Sequence, residues 1–210
     1  MKKFELTTEF ITNALGKKLF RIKALVEFGS VKAGELGGYA EKEENISQDG
    51  NAWVSDDACV YGDAKIFGNA WVSDDACVYG DAKVFGNAWV YGDAWVHGNA
   101  KVSDNAKVSD NAKVFGNAKV YGDAKVSDNA EVSGDADYAL VKGFGTEFRC
   151  TTFYRDKNKK IMVNCGCFHG DLEAFRKQVK ETRSGKIAKE YLMIADLMEY
   201  HFASEDSSDE

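Results

Sequence analysis

The chain has 210 residues, no proline, five cysteines and three histidines, and 27 basic against 34 acidic side chains give it a net charge of −7. That length buries a real core in one domain or one domain with attachments. An acidic balance without a basic stripe argues against direct binding of nucleic-acid phosphates, and no segment approaches the length of a membrane span. Charges interrupt the apolar residues near the start, so no secretory signal is expected, and five cysteines without one imply free thiols in a cytoplasmic setting.

Residues 1–44 are expected to form an N-terminal hairpin and a lead-in cap. Phe4–Thr12 and Leu19–Leu25 alternate apolar and polar residues around Asn13-Ala14-Leu15-Gly16, the period of two strands joined by a turn. The glycine-rich run Val31–Tyr39 reads as a chain reversal, because it lacks the Lys-Ser/Thr pair and the following helix of a phosphate loop. Asn45–Gly50 reads as an atypical first unit of the repeat that starts at Asn51, as expected where a solenoid must close its end.

From Asn51 to Gly134 the chain is fourteen uninterrupted six-residue units: Asn or Asp, Ala, any residue, Val (once Ile), any residue, then Gly or Asp. Two fixed apolar positions in six predict a parallel β-helix, one short strand and one corner per hexad, three hexads per coil. Residues 45–140 are assigned to it. Fourteen hexads make about 4.7 coils and a rod roughly 22 Å long at strand spacing. Every repeat Val and Ala is predicted to fill the narrow interior, and Gly, Asp and Asn fall at corners that need positive φ or side-chain-to-backbone bonds. Residues eighteen apart then stack on one face. Residues 51–68 and 69–86 differ only at Ile66 against Val84.

The outward columns differ by face. The first carries Trp53, Trp71 and Trp89, then Lys107 and Lys125. The second carries Cys59, Cys77, Trp95, Lys113 and Glu131 beside Tyr61, Tyr79, His97 and Phe115. The third carries Lys65, Lys83, Lys101 and Lys119 beside Phe67, Phe85, Ser103 and Tyr121. The exterior therefore grades from an aromatic end to a lysine end. Trp53, Trp71, Trp89, Trp95, Tyr61, Tyr79, Phe67, Phe85 and Tyr91 form the candidate binding surface, since an exposed apolar patch of that size calls for a cover. Aromatic ladders also stabilise stacked coils internally. Cys59 and Cys77 stack within disulfide range but are expected to remain free thiols. Columns of threonine suited to binding ice are absent.

Two resemblances accompany these residues. The aliphatic-then-small hexad is similar to the left-handed pattern of hexapeptide acyltransferases and γ-class carbonic anhydrases, although glycine here falls two places after the aliphatic residue. Residues 21–58, with the core VKAG-x-x-GG-Y and the lead-in NISQDG, resemble the YdcK-type hexapeptide-repeat proteins, an acetyltransferase-like group, and related repeat proteins of phage and prophage. The resemblance spans roughly residues 20–140. It implies an all-β, left-handed parallel β-helix, departing from the usual right-handed crossover, and carries no catalytic residues over. It also implies sideways self-association into a trimer or dimer, and a protein acting in the cytoplasm of a bacterial host.

Residues 141–202 are expected to form a β-β-α-α cap. Gly143-Phe144-Gly145 marks a break, and Cys150–Arg155 and Ile161–Phe168 read as a hairpin around residues 156–160. Asp171 reads as the N-cap of a helix with Leu172, Phe175 and Val179 on one face, and a second helix spans Ile187–Phe202. Residues 203–210 read as an acidic disordered tail.

Few side chains have the chemistry for catalysis. His97 is the one weak candidate for a general base, in a slot held elsewhere by Tyr61, Tyr79 and Phe115, and no loop interrupts the hexads to hold an acyl carrier. Cys150, Cys165, Cys167 and His169 are the weak metal candidates. Alternate positions 165, 167 and 169 share one face of a strand, but their spacing is long for zinc. Small buried thiols packed on the helices are the favoured reading, and no cofactor is expected. The first functional expectation is thus a non-enzymatic protein-binding scaffold of phage type, binding itself and a host protein such as a defence component. The alternative is an atypical acyl-CoA-dependent transferase.

Overall fold

The structure, a computed structural model, describes residues 2–203. The acidic tail from residue 204 onward lies outside the described residues. Three antiparallel strands open the chain: β1 (Phe4–Thr12), β2 (Lys18–Ala24) and β3 (Leu36–Ala40). Fourteen two-residue strands come next, one per hexad, from β4 (Trp53–Val54) to β17 (Glu131–Val132). They stack in parallel at an offset of eighteen, as in Trp53 on Trp71 on Trp89, making a solenoid of about five turns. Each rung donates to the next. Trp53 N reaches Ala70 O at 3.0 Å and Ser55 N reaches Val72 O at 2.9 Å.

The interior is a column of Val and a column of Ala. Each repeat Val, Ile66 and each repeat Ala from Ala52 to Ala130 is at most 1 % exposed. Glycine and aspartate share the corner position because the backbone there is left-handed. Gly62, Gly80 and Gly98 have φ of 69–71°, and Asp56, Asp74 and Asp104 have φ of 55–58°. That region disfavours most side chains but tolerates Gly and, more than most residues, Asp. The aspartates gain a bond that offsets the strain. Asp74 accepts from Gly92 N at 2.9 Å and Asp104 from Gly122 N at 3.0 Å, each one coil on. The corner of Asp104 also carries an amide ladder, Asn51 to Asn69 to Asn87 to Asn105, at 3.0–3.1 Å.

The N-terminal cap extends one face of the solenoid. β3 pairs antiparallel with β2 and parallel with Cys59–Val60. Leu36–Tyr39 is thus strand and not the expected turn, and the reversal is confined to the residues before it, where Gly34 has φ +86°. Gly37 and Gly38 serve close approach instead. A Cβ on Gly37 would lie 2.5 Å from Val54 O and 2.6 Å from Trp53. Tyr39 pairs with Cys59 and Ile46 with Ile66, both at an offset of twenty, and a 3-10 turn at Glu43–Asn45 lies between Tyr39 and Ile46. The open end's carbonyls are met by side chains: Lys3 Nζ donates to Ala52 O at 2.9 Å, and Asn45 Nδ2 to Ala64 O at 2.9 Å and Gly62 O at 3.0 Å.

The C-terminal cap is a four-stranded antiparallel meander with two helices, in place of the expected two strands. Its strands are β18 (Tyr138–Phe144), β19 (Arg149–Arg155), β20 (Ile161–Cys165) and β21 (Phe168–Asp171). The helices are α1 (Leu172–Thr182), with Asp171 Oδ1 accepting from Ala174 N at 2.7 Å, and α2 (Gly185–Phe202). β19 is buried on both faces, as its alternation requires. Thr152 and Tyr154 face the solenoid, Thr152 Oγ1 accepting from Lys125 N at 3.0 Å, while Phe153 packs with Phe175 of α1. Buried Tyr138 and Tyr154 close the Val/Ala column, and Phe153, Val163, Phe175, Ile194 and Met198 form a second core.

Candidate functional site on the outer faces of the solenoid

The outward columns stack as the period of eighteen predicts. Tyr61 and Tyr79 lie face to face with centroids 4.9 Å apart, as do Phe67 and Phe85. Tyr91 is half-buried. Trp95 stands edge-on to Tyr79 at 6.2 Å.

The tryptophan column is not one continuous exposed surface. Trp53 is 0 % exposed, Trp71 is intermediate, and Trp89 is 48 % exposed. Phe4 and Phe28 meet the Trp53 ring edge-on at 6.3 and 5.4 Å, so the first tryptophan belongs to the N-terminal core and not to a binding face. Trp71 donates its indole N–H to Ser55 Oγ at 3.1 Å. Lys107, one coil beyond Trp89, lies 5.4 Å from its ring centre, a cation–π contact. The most open of the candidate rings are in the third coil, where Trp89 and Trp95, 46 % exposed, flank the corner at Tyr91–Asp93; Phe67, in the first coil, is also exposed.

His97 is one ring of the second-face ladder, 4.8 Å from Tyr79 and 5.3 Å from Phe115, nearly parallel to both. Burial, reinforced by Lys113, holds its imidazole below the ordinary value. Among the described residues no carboxylate bonds its ring, so the carboxylate that commonly orients a catalytic base is not in place.

Cys59 and Cys77, expected as free thiols, are joined in a disulfide across adjacent rungs, with Cα atoms 4.8 Å apart. Direct pairing of identical slots in a parallel stack sets the two sulfurs side by side, beneath Leu19 and Tyr39 of the N-terminal cap. The other cysteines do not converge. Gly166, at φ +64°, turns the chain within the expected strand Ile161–Phe168, so Cys165 and His169 fall on different strands and Cys167 is exposed in the turn. Cys150 lies one place before Thr151 on β19, and burial, with Asp123 nearby, raises its thiol pKa. Thr151 Oγ1 donates to Cys165 Sγ at 3.1 Å. His169 binds the solenoid through Asp128 and lies 3.2 Å from the Tyr154 hydroxyl. Among the described residues no three His, Cys, Asp or Glu side chains gather as a metal site.

Two features have no clear sequence signal. The Tyr154 hydroxyl meets Ser127 Oγ at 3.1 Å, and Asn164 Nδ2 donates to Lys125 O and Ser127 Oγ at 3.0 Å each, pinning the C-terminal sheet to the last coils. Met193, Leu197 and Tyr200 form an outward stripe on α2, at a spacing that the inward stripe of the same helix masks. Among the described residues no helix is long and apolar enough to cross a membrane.

Comparison with curated proteins finds no match. Residues 82–98, from the second coil into the third, match the family model described as YdcK Beta solenoid repeat. That match and the solenoid of about five turns support reading these coils as a YdcK-like β-solenoid repeat.

Proposed function

We propose that this chain is a non-enzymatic binding scaffold whose rigid solenoid presents its outer faces to protein, either a second copy of itself or a partner. The observation that carries this reading is the exposure of Trp89 and Trp95 on either side of one corner, where lysines occupy the same columns one coil later. Stacked parallel rungs hold these rings with little freedom to lose, and Trp is enriched at interface hot spots. The likeness of residues 21–58 to phage and prophage repeat proteins supports a bacterial cytoplasm as the setting and a host protein, a defence component included, as the partner. Acyl transfer, the alternative, draws no specific support, since His97 is stacked between two rings and the hexads run without a loop.

The test is light scattering on the full chain and on Trp89→Ala/Trp95→Ala, beside affinity purification from the native host. A wild-type oligomer or captured partner that is lost in the double variant is the expected result. A monomer that captures nothing specific, or acyl-donor turnover that depends on His97, overturns the reading.

A further inference from the structure

A cleft of about 320 Å³ opens in the C-terminal cap, between the β18–β19 turn, the Gly166 turn and the two helices. That volume is at the small end of ligand sites. Its apolar side is aromatic: Phe168, Phe175 and Tyr191, with Phe168 and Phe175 centroids 5.5 Å apart and Phe175 edge-on to Tyr191 at 5.9 Å. Two guanidinium groups face them, Arg149 from β19 and Arg183 from the end of α1.

These arginines differ from Arg176 of α1. Arg176 is saturated by Glu173, Asp196 and Glu199, at 3.0, 2.8 and 2.7 Å. Among the described residues neither Arg149 nor Arg183 has a carboxylate within 4 Å, although Glu147 lies on the same rim, and Arg183 donates only to the neighbouring Thr182 O at 3.3 Å. The Tyr191 hydroxyl, on the same lining, donates to Phe144 O at 3.3 Å and lies near the Cys165 thiol. Burial and that thiol raise the phenol's pKa, while both guanidiniums lower it. Two planar donor forks above an aromatic floor match an oxyanion attached to a flat apolar group.

We propose that this cleft binds a small organic anion, a carboxylate or phosphate ester bearing an aromatic or similar flat group. Arg149 and Arg183 hold the anion, and Phe168, Phe175 and Tyr191 hold the ring. The site lies off the outer faces of the solenoid and is independent of the scaffold reading, so Trp89→Ala/Trp95→Ala leaves it intact.

Calorimetric titration of the full chain with benzoate and with phenyl phosphate tests it, with inorganic phosphate and phenol as the anion-only and ring-only probes. At least one of the first two is expected to saturate with a Kd of about 1 mM or tighter, and each partial probe to bind about tenfold more weakly. Arg149→Gln/Arg183→Gln is expected to lose at least about tenfold in affinity, while Lys83→Gln on the solenoid is unchanged. Both arginines are exposed, so the double variant is expected to keep its fold. A second readout is iodoacetamide labelling followed by mass spectrometry. Bound ligand slows modification of Cys165 and Cys167, which line the cleft, and not of Cys150, which does not. Absence of saturable binding by both full probes, equal binding of all four, or undiminished binding by the double variant overturns the proposal.

Discussion

Trp53 and Trp89 occupy the same slot of the same repeat, two coils apart, and paired rungs place both in one column. One is sealed from water and the other is half open. The repeat dictates where a side chain stacks. The caps dictate whether it meets solvent, since Phe4 and Phe28 of the N-terminal cap pack on Trp53 in the first coil. A column read from sequence is therefore a line of equivalent backbone positions and not of equivalent environments. The contrast extends to polar atoms: the Trp53 indole N–H is buried without a partner, while the Trp71 N–H bonds Ser55. An unpaired buried donor costs about 1–3 kcal/mol, which the packing of Trp53 against the cap must outweigh.

The largest expected effect breaks the sealed end. Trp53→Ala is expected to destabilise the protein by about 3–5 kcal/mol in denaturant unfolding, as for other buried aromatics. Trp89→Ala is expected to change stability by less than about 1 kcal/mol. Equal losses would show that the coils, not the cap, set the environment. Next is the Cys59–Cys77 disulfide, which closes a separation of 18 residues. Reduction, or Cys59→Ser/Cys77→Ser, is expected to remove about 3 kcal/mol by the chain-entropy argument. Unfolding midpoints that coincide with and without reductant would refute it.

A smaller effect reads the N-terminal cap through pH. Burial lowers the Lys3 ammonium from 10.5 to about 8, partly opposed by Asp49. Between those values the unfolded chain holds the proton more tightly than the folded one, so stability rises with pH there. The gain expected between pH 8 and pH 10 is about 1–2 kcal/mol. Above that window the sign reverses, because Tyr154, which burial pushes up to about 12, and Tyr138, also raised by burial, keep their protons in the folded state while the unfolded phenols ionise. Lys3→Met is expected to flatten the rise and leave the fall. The smallest effect tests the C-terminal anchor. Tyr154→Phe removes the hydroxyl from Ser127 and His169, at an expected cost of about 1 kcal/mol in equilibrium unfolding. No loss would mean that the ring alone closes the solenoid.

Much of this molecule was legible without coordinates. Two fixed apolar positions in every six admit one solution, a narrow prism with Val and Ala inside and left-handed corners of Gly or Asp, and the period of eighteen sorts the outer side chains into columns. The β1–β2 hairpin, the Asp171 cap and the inward face of α1 were readable for the same reason: each is a local pattern with a local cause. Non-local pairings were not. Leu36–Tyr39 looks like a turn because glycine usually marks one. Gly37 and Gly38 are there because Val54, Trp53 and Ala58 crowd them from elsewhere in the chain. Tertiary packing also decided that Trp53 is core, that Cys59 and Cys77 are bonded, that Gly166 splits one strand into two and scatters the cysteines, and that Arg149 and Arg183 share a cleft. Periodicity records how each residue relates to its own element, whereas burial and clustering depend on which distant segments arrive beside it.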